Sequence, residues 1–272
     1  MRERGSTRSP SDLPSRSTGP SVPSRLEDRG GRFGHGEAAG YDFSVPIGAT
    51  AAEVRSVVHE YGIAHMEGFL GGERLDRLAA ECRSILDEPP TWSHPEGYGL
   101  GAAVRLVRTQ VDRASFPTLL DVFESPFLEE VVALHYGPGY VFAEQIYVIL
   151  DVVGTQTIVQ QLHYDKVQHL KLFVYLSDVG PGNGPFHCVP RSHTISAQLQ
   201  ADNRANGIIA TDGEARVLPP EVAGRQVAVL GGAGTLILFD SDIVHRASVP
   251  TDGDRLAVRS LNFGPHSLGS RL

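Results

Sequence analysis

Cysteine is nearly missing from this chain. Two in 272 residues, Cys82 and Cys188, cannot build a disulfide framework or a cysteine-rich zinc site. A reducing, cytoplasmic setting is expected. No apolar run approaches roughly 18 residues, so no membrane span is expected, and the N-terminus lacks the apolar segment of a signal peptide. Lysine is scarcer than any other charged residue: of 24 basic side chains only Lys166 and Lys171 are lysines, and the formal net charge is -8. That balance argues against a polyanion-binding surface and against nucleic acid as a partner. What is present is ordinary globular material. A hydrophobic share of 41% and a charged share of 21% exclude a wholly disordered or fibrous protein. The length is ample for a sizeable core.

Composition divides the chain near Tyr41. Residues 1–40 are rich in Ser, Pro, Gly and Arg and hold seven arginines against five acids. Such a segment buries too little apolar area to offset its ordering entropy, so a disordered tail is expected. Residues 41–272 are expected to form one domain. Thr50-Ala-Ala-Glu53 is a capping-box pattern that opens a helix through about Tyr61. Ile63–Leu70 reads as a strand and Glu73–Leu86 as a helix, stopped by Pro89-Pro90. Residues 91–115 read as a polar, Gly-rich loop carrying Arg105, Arg108 and Arg113. Pro126–Tyr136 reads as a short helix closed by Gly137. From Tyr140 onward the pattern turns to strands: Val141–Val153, Leu170–Leu176, Gln226–Val229, Gly234–Phe239 and Leu256–Phe263, separated by Gly/Pro turns. A helical N-terminal third packed on an antiparallel sandwich or barrel follows.

The chemistry-bearing pattern is His-x-Asp/Glu. Two His and one carboxylate on one face of a non-haem iron leave open positions for co-substrate and dioxygen. On a strand, residues two apart share a face, so both can reach one ion. The triplet alone says little. Eleven histidines and 32 acids give about one by chance, and here there are four. His35/Glu37 lies in the tail, His94/Glu96 in the loop, and His65/Glu67 on a strand among helices. His163/Asp165 alone sits in the β-rich region, followed by a long apolar strand, a Gly/Pro turn and a further strand bearing His245. Arg255 lies ten residues beyond His245. Arginine there makes chemical sense, because a dicarboxylic 2-oxo acid that chelates a metal needs a planar, permanently charged partner for its far carboxylate. Arg259 shares the strand face of Arg255 and is the rival anchor. A simple hairpin at Asp252-Gly253 would turn Arg255 away from His245. Placing the two strands in opposite sheets removes that conflict.

From about Val54 to Phe263 the sequence resembles the phytanoyl-CoA dioxygenase family of iron(II)/2-oxoglutarate oxygenases. The segments that carry the resemblance are Val58–Leu70, Leu170–His193 with its Asn183-Gly184-Pro185 and Val189-Pro190-x-Ser192-His193, and Gly234–His245. Arg191 departs from the pattern, since many members have Gly there. The resemblance implies a double-stranded β-helix, a cupin-like jelly roll flanked by helices. It implies Fe(II) held by His163, Asp165 and His245, the far carboxylate of 2-oxoglutarate held by Arg255, dioxygen as the oxidant, and a polar co-substrate contact at Gln145. His193 matches a family motif without being a ligand. His169, His187, Asp240 and Asp242 read as structural residues. Arg105 and Arg108 fall where relatives place substrate contacts, although a solvated loop explains them equally.

The expected activity is oxidation of a small organic molecule, hydroxylation by default, with release of succinate and CO2, in bacterial specialised metabolism. An intact Asp165 argues against halogenation, because halogenases of this type replace the carboxylate with Ala or Gly. The competing readings are a jelly-roll metal enzyme that does not use 2-oxoglutarate and a non-catalytic binding module. A monomer or homodimer without membrane attachment is expected.

Overall fold

A computed structural model describes residues 41–96, 99–165, 167–196, 198–199 and 218–265. The expected tail, with the His35/Glu37 triplet, lies outside them.

The helical part forms for reasons written locally. Helix α1 (Ala51–Tyr61) opens on a complete capping box: Glu53 N–H donates to Thr50 Oγ1 at 3.3 Å and Thr50 N–H to Glu53 Oε2 at 2.7 Å. Gly62, with φ 77°, closes it. Strand β1 (Ile63–Met66) follows, shorter than the eight residues expected, because the chain turns at Glu67-Gly68. Helix α2 (Gly72–Asp87) buries Leu78, Ala79, Cys82 and Ile85 at helical spacing. The supposed polar loop instead holds the edge strand β2 (His94–Glu96) and its neighbour β3 (Ala102–Val107), which pair antiparallel with His94 opposite Arg105. Two proline-initiated helices complete this part: α3 (Pro117–Phe123), which the sequence reading passed over, and α4 (Pro126–Tyr136).

The remaining strands are β4 (Val141–Asp151), β5 (Leu170–Tyr175), β6 (Phe186–Val189), β7 (Val227–Val229), β8 (Leu236–Asp240), β9 (Val244–Arg246) and β10 (Arg255–Phe263). They form two antiparallel sheets. The larger runs β1-β8-β5-β10-β4-β3-β2 and the smaller β7-β6-β9. β1 therefore belongs to the large sheet, pairing with β8, and does not lie apart from the sandwich. Consecutive elements β9 and β10 sit in opposite sheets, as the His245/Arg255 argument required.

Period-two alternation gives the central strands β5, β8 and β10 of the large sheet two buried faces. Leu170, Leu172, Val174, Leu236, Leu238, Leu256 and Val258 pack outward beneath the helices. Phe173, Tyr175, Ile237, Phe239 and Ala257 point inward to meet Phe186, Cys188, Val227 and Val229 of the small sheet. The inner faces of β4, β5 and β10 are thus committed to the space between the sheets. There a polar side chain needs a partner or a ligand.

Gly234 shows how tightly the turn before β8 is drawn. Its φ is 89°, its N–H donates to the Tyr175 carbonyl at 2.7 Å, and a Cβ would overlap the Leu70 carbonyl oxygen. Gly234→Ala carries both a left-handed backbone penalty and a clash with main chain. It should lower unfolding free energy by at least about 2 kcal/mol in chemical denaturation; a change within experimental error would show that the turn relaxes freely.

Candidate metal centre

The donor set is assembled by main-chain hydrogen bonds between the sheets. His163 and His245 form an isolated antiparallel bridge: His163 N–H donates to the His245 carbonyl at 2.9 Å, and His245 N–H returns to the His163 carbonyl at 2.6 Å. Asp165 N–H donates to the Ser241 carbonyl at 3.0 Å. The segment carrying His163 and Asp165 is thereby fastened to both ends of the β8–β9 turn, although it is not itself a strand of either sheet.

The side chains converge. One ligand atom from each of His163, Asp165 and His245 lies within 4.8 Å of the others, the metal-ligand cluster found among the described residues. Asp165 Oδ1 is 3.6 Å from His163 Nε2 and 3.7 Å from His245 Nε2. Each imidazole is oriented in the same way. His163 Nδ1 is 2.7 Å from the Gln161 carbonyl and His245 Nδ1 is 2.8 Å from the Ile243 carbonyl. A carbonyl only accepts, so Nδ1 carries the proton and the Nε2 lone pair turns toward Asp165. Burial, reinforced by His163, holds His245 well below the usual imidazole range, so it stays neutral as a metal ligand must. Burial alone would raise the Asp165 carboxyl. The Lys171 ammonium and the His169 hydrogen bond outweigh it and hold the group well below the usual carboxylate range. Two imidazoles oriented through Nδ1 and one ionised carboxylate fit a divalent iron.

The rival triplets stand elsewhere. His65 is buried on β1 with Nε2 3.0 Å from the Leu230 carbonyl. His94 and Glu96 are exposed on β2. His193 joins a loop to α1 through the His59 carbonyl at 3.1 Å. His169 lies closer to the site than expected, with Nδ1 3.5 Å from Asp165 Oδ2 and 3.2 Å from Ser241 Oγ. Asp240 accepts from the Asp242 N–H at 2.9 Å, a turn role. Arg105 and Arg108 pair with Glu96 and Glu124.

The two arginines of β10 are about 13 Å apart along the strand and differ in charge balance. Arg255, 3% exposed, sends Nε and Nη2 to Asp151 Oδ2 at 2.9 and 2.6 Å and Nη1 to the Gly184 carbonyl. Its charge is matched by a carboxylate on the neighbouring strand, directly opposite in register. Arg259 stacks 4.5 Å from the centre of the Tyr147 ring. Its Nε is buried with no hydrogen-bond partner among the described residues. Tyr147 Oη donates to Gln145 Oε1 at 3.0 Å, which places the expected co-substrate contact on the same wall. Sequence reasoning missed Asp151 and Lys171. For Lys171 the signal was there: a lone cation at an inward position of the apolar strand Leu170–Tyr175.

Fold and donor set define a double-stranded β-helix metalloenzyme with a two-histidine, one-carboxylate centre. The chain belongs to the phytanoyl-CoA dioxygenase family, whose model matches residues 58–257. It is accordingly a 2-oxoglutarate-dependent non-haem iron enzyme, which sets aside the non-catalytic reading. No curated protein matches the sequence. Similar solved structures include the alpha-ketoglutarate-dependent epimerase SnoN from nogalamycin biosynthesis, 18% identical with a TM-score of 0.52 over 79% of this chain and 82% of that one. SnoN in complex with Fe3+, alpha-ketoglutarate and nogalamycin RO aligns with a TM-score of 0.55, at 18% identity over 79% and 83% of the two chains. The carbocyclase SnoK of the same pathway is 17% identical, with a TM-score of 0.54 over 82% and 93%. At these identities the likeness is one of fold. Arg191 has φ 67°, a left-handed conformation that favours Gly. Here it is retained with an ion pair to Glu60 at 2.5 Å and stacking on Tyr61.

Replacing His163, Asp165 or His245 with Ala should each abolish tight binding of a divalent transition metal, read by calorimetry, while circular dichroism stays native. Equal loss of metal in His65→Ala or His94→Ala would refute this choice among the triplets.

Proposed function

We propose that the protein oxidises a C–H bond of a small organic molecule, a tailoring step in bacterial specialised metabolism, with Fe(II) held by His163, Asp165 and His245. The observation that carries this reading is the convergence of two pre-oriented imidazoles and one ionised carboxylate between the sheets. Iron and 2-oxoglutarate together supply the oxidising power, dioxygen being reduced as the 2-oxo acid is decarboxylated to succinate and CO2. The protein's own residues do the rest. The Gln161 and Ile243 carbonyls fix the two imidazoles. Phe173, Phe186 and Phe239 exclude water from the space inward of the triad. An intact Asp165 leaves no room for a halide ligand, so hydroxylation or a related oxidation is favoured over halogenation. The fold neighbours SnoN and SnoK, an epimerase and a carbocyclase, act in natural-product biosynthesis, which supports a tailoring role.

For the far carboxylate of 2-oxoglutarate, the family resemblance points to Arg255. A second reading assigns it to Arg259, and a specific observation favours it: Arg255 is already balanced by Asp151, whereas Arg259 has a buried Nε without a partner. The test must respect the Asp151 pair, because removing Arg255 alone strands a buried carboxylate and costs about 3–5 kcal/mol of stability. The informative variants are therefore Arg255→Gln combined with Asp151→Asn, and Arg259→Gln alone. The variant that lacks the anchor should need about two to three orders of magnitude more 2-oxoglutarate, read by anaerobic titration of the iron-loaded protein. If neither variant changes that requirement, the far carboxylate is not held on β10.

A further inference from the structure

The one lysine among the described residues stands where it touches the candidate metal ligand. We propose that Lys171 is a positioning residue that keeps Asp165 bound to the metal through a single oxygen. The proposal rests on the reading that His163, Asp165 and His245 hold the metal. In the structure the two oxygens of Asp165 face different ways. Oδ1 faces both imidazoles, at 3.6 and 3.7 Å, whereas Oδ2 lies 2.5 Å from Lys171 Nζ. Lys171 is 6% exposed and is held in place on β5, between Leu261 of β10 and Phe239 of β8. Its Nζ lies 5.4 Å from the centre of the Phe239 ring, and that ring packs 5.2 Å from His245.

Burying an ammonium is costly, and an apolar side chain of similar length would fill the same volume without that cost. Choosing lysine over arginine is also informative in a chain with only two lysines among 24 basic side chains. A guanidinium fork grips both oxygens of a carboxylate and would draw Oδ1 off the metal. An ammonium is a point charge and takes one oxygen. With Oδ2 occupied, Asp165 fills one coordination position. Two histidines and a one-oxygen carboxylate leave three positions of an octahedral ion open, two for a chelating 2-oxo acid and one for dioxygen. A carboxylate bound through both oxygens would leave only two, and the chelating co-substrate would fill them.

The experiment counts exchangeable waters on Mn(II) bound to the full-length protein, without co-substrate, by water-proton relaxation. The wild type should show about three, and Lys171→Met about two, with relaxivity falling by about a third. A wild-type count of two overturns the proposal, and this measurement needs no variant that might misfold. An unchanged count in a folded Lys171→Met protein overturns it as well. Asp165→Ala separates the two levels of the argument: if Mn(II) binds that variant as tightly as the wild type, the triad reading itself fails, whatever Lys171 does.

Discussion

A carboxylate buried between two β-sheets must be balanced by positive charge, and the architecture of this protein is arranged around that requirement at Asp165. The residue cannot move, because its N–H is tied to the Ser241 carbonyl and its companion His163 is bridged to β9. It cannot be neutralised by taking up a proton, because Lys171 and His169 keep it ionised. The cation that balances it in the absence of metal comes from β5, at a position whose neighbours in the same strand, Phe173 and Tyr175, line an apolar interior. Sheet register, the β9–β10 crossover and the placement of a rare lysine all converge on one negative charge held in one orientation.

A second buried pair repeats the pattern deeper in the same wall. Asp151 and Arg255 lie opposite each other in the β4–β10 register, and both are almost fully buried. Such a pair does little for net stability compared with a well-packed apolar pair, but breaking it by halves is costly. Loss of function in a variant of Arg255 alone would therefore confound folding with co-substrate binding. The pair also links the loop at Gly184 to the large sheet through the arginine's third contact. The Asn183-Gly184-Pro185 segment thus has a structural reason for its composition: at Gly184, φ is 68° and a Cβ would press on the Ser248 carbonyl.

Much of this was legible in the sequence, and what was not has physical causes. The capping box at Thr50, the proline-opened α4 and the long strands β4, β5 and β10 are strong local signals, because cap chemistry and period-two burial are written in adjacent residues. β6 was not read as a strand. It has only four residues, and its inward positions include Cys188 in place of a β-branched run. β2 was hidden because an exposed edge strand such as His94-Pro-Glu96 carries no burial alternation, and β3 because its burial pattern is irregular, with Ala103 and Val104 both buried. α3 was overlooked because seven residues give barely two turns of periodicity. At the site, His163, Asp165 and His245 stood out by context, and their convergence agrees with that reading. Asp151 did not, since a partner that balances charge across strands is set by register, which a single sequence does not display; Lys171 was visible as a lone cation in an apolar strand, but not the fact that it meets Asp165.

Charge accounting for the interior ties these features to ligand order. Asp165 is matched by Lys171 and Asp151 by Arg255, which leaves Arg259 as the one surplus charge among these five inward groups. On the proposed reading, a divalent ion bound alone would add two further positive charges to a wall that already carries one. Coulomb repulsion in a partly buried site is several times stronger than in water, so that state is less stable than the one with co-substrate bound. 2-Oxoglutarate brings two negative charges and cancels those of the ion, returning the wall to its starting balance. Each ligand therefore strengthens the binding of the other, by the reciprocity that linkage requires of any two coupled sites. A site built this way holds the metal alone and holds it more tightly when metal and co-substrate are present together.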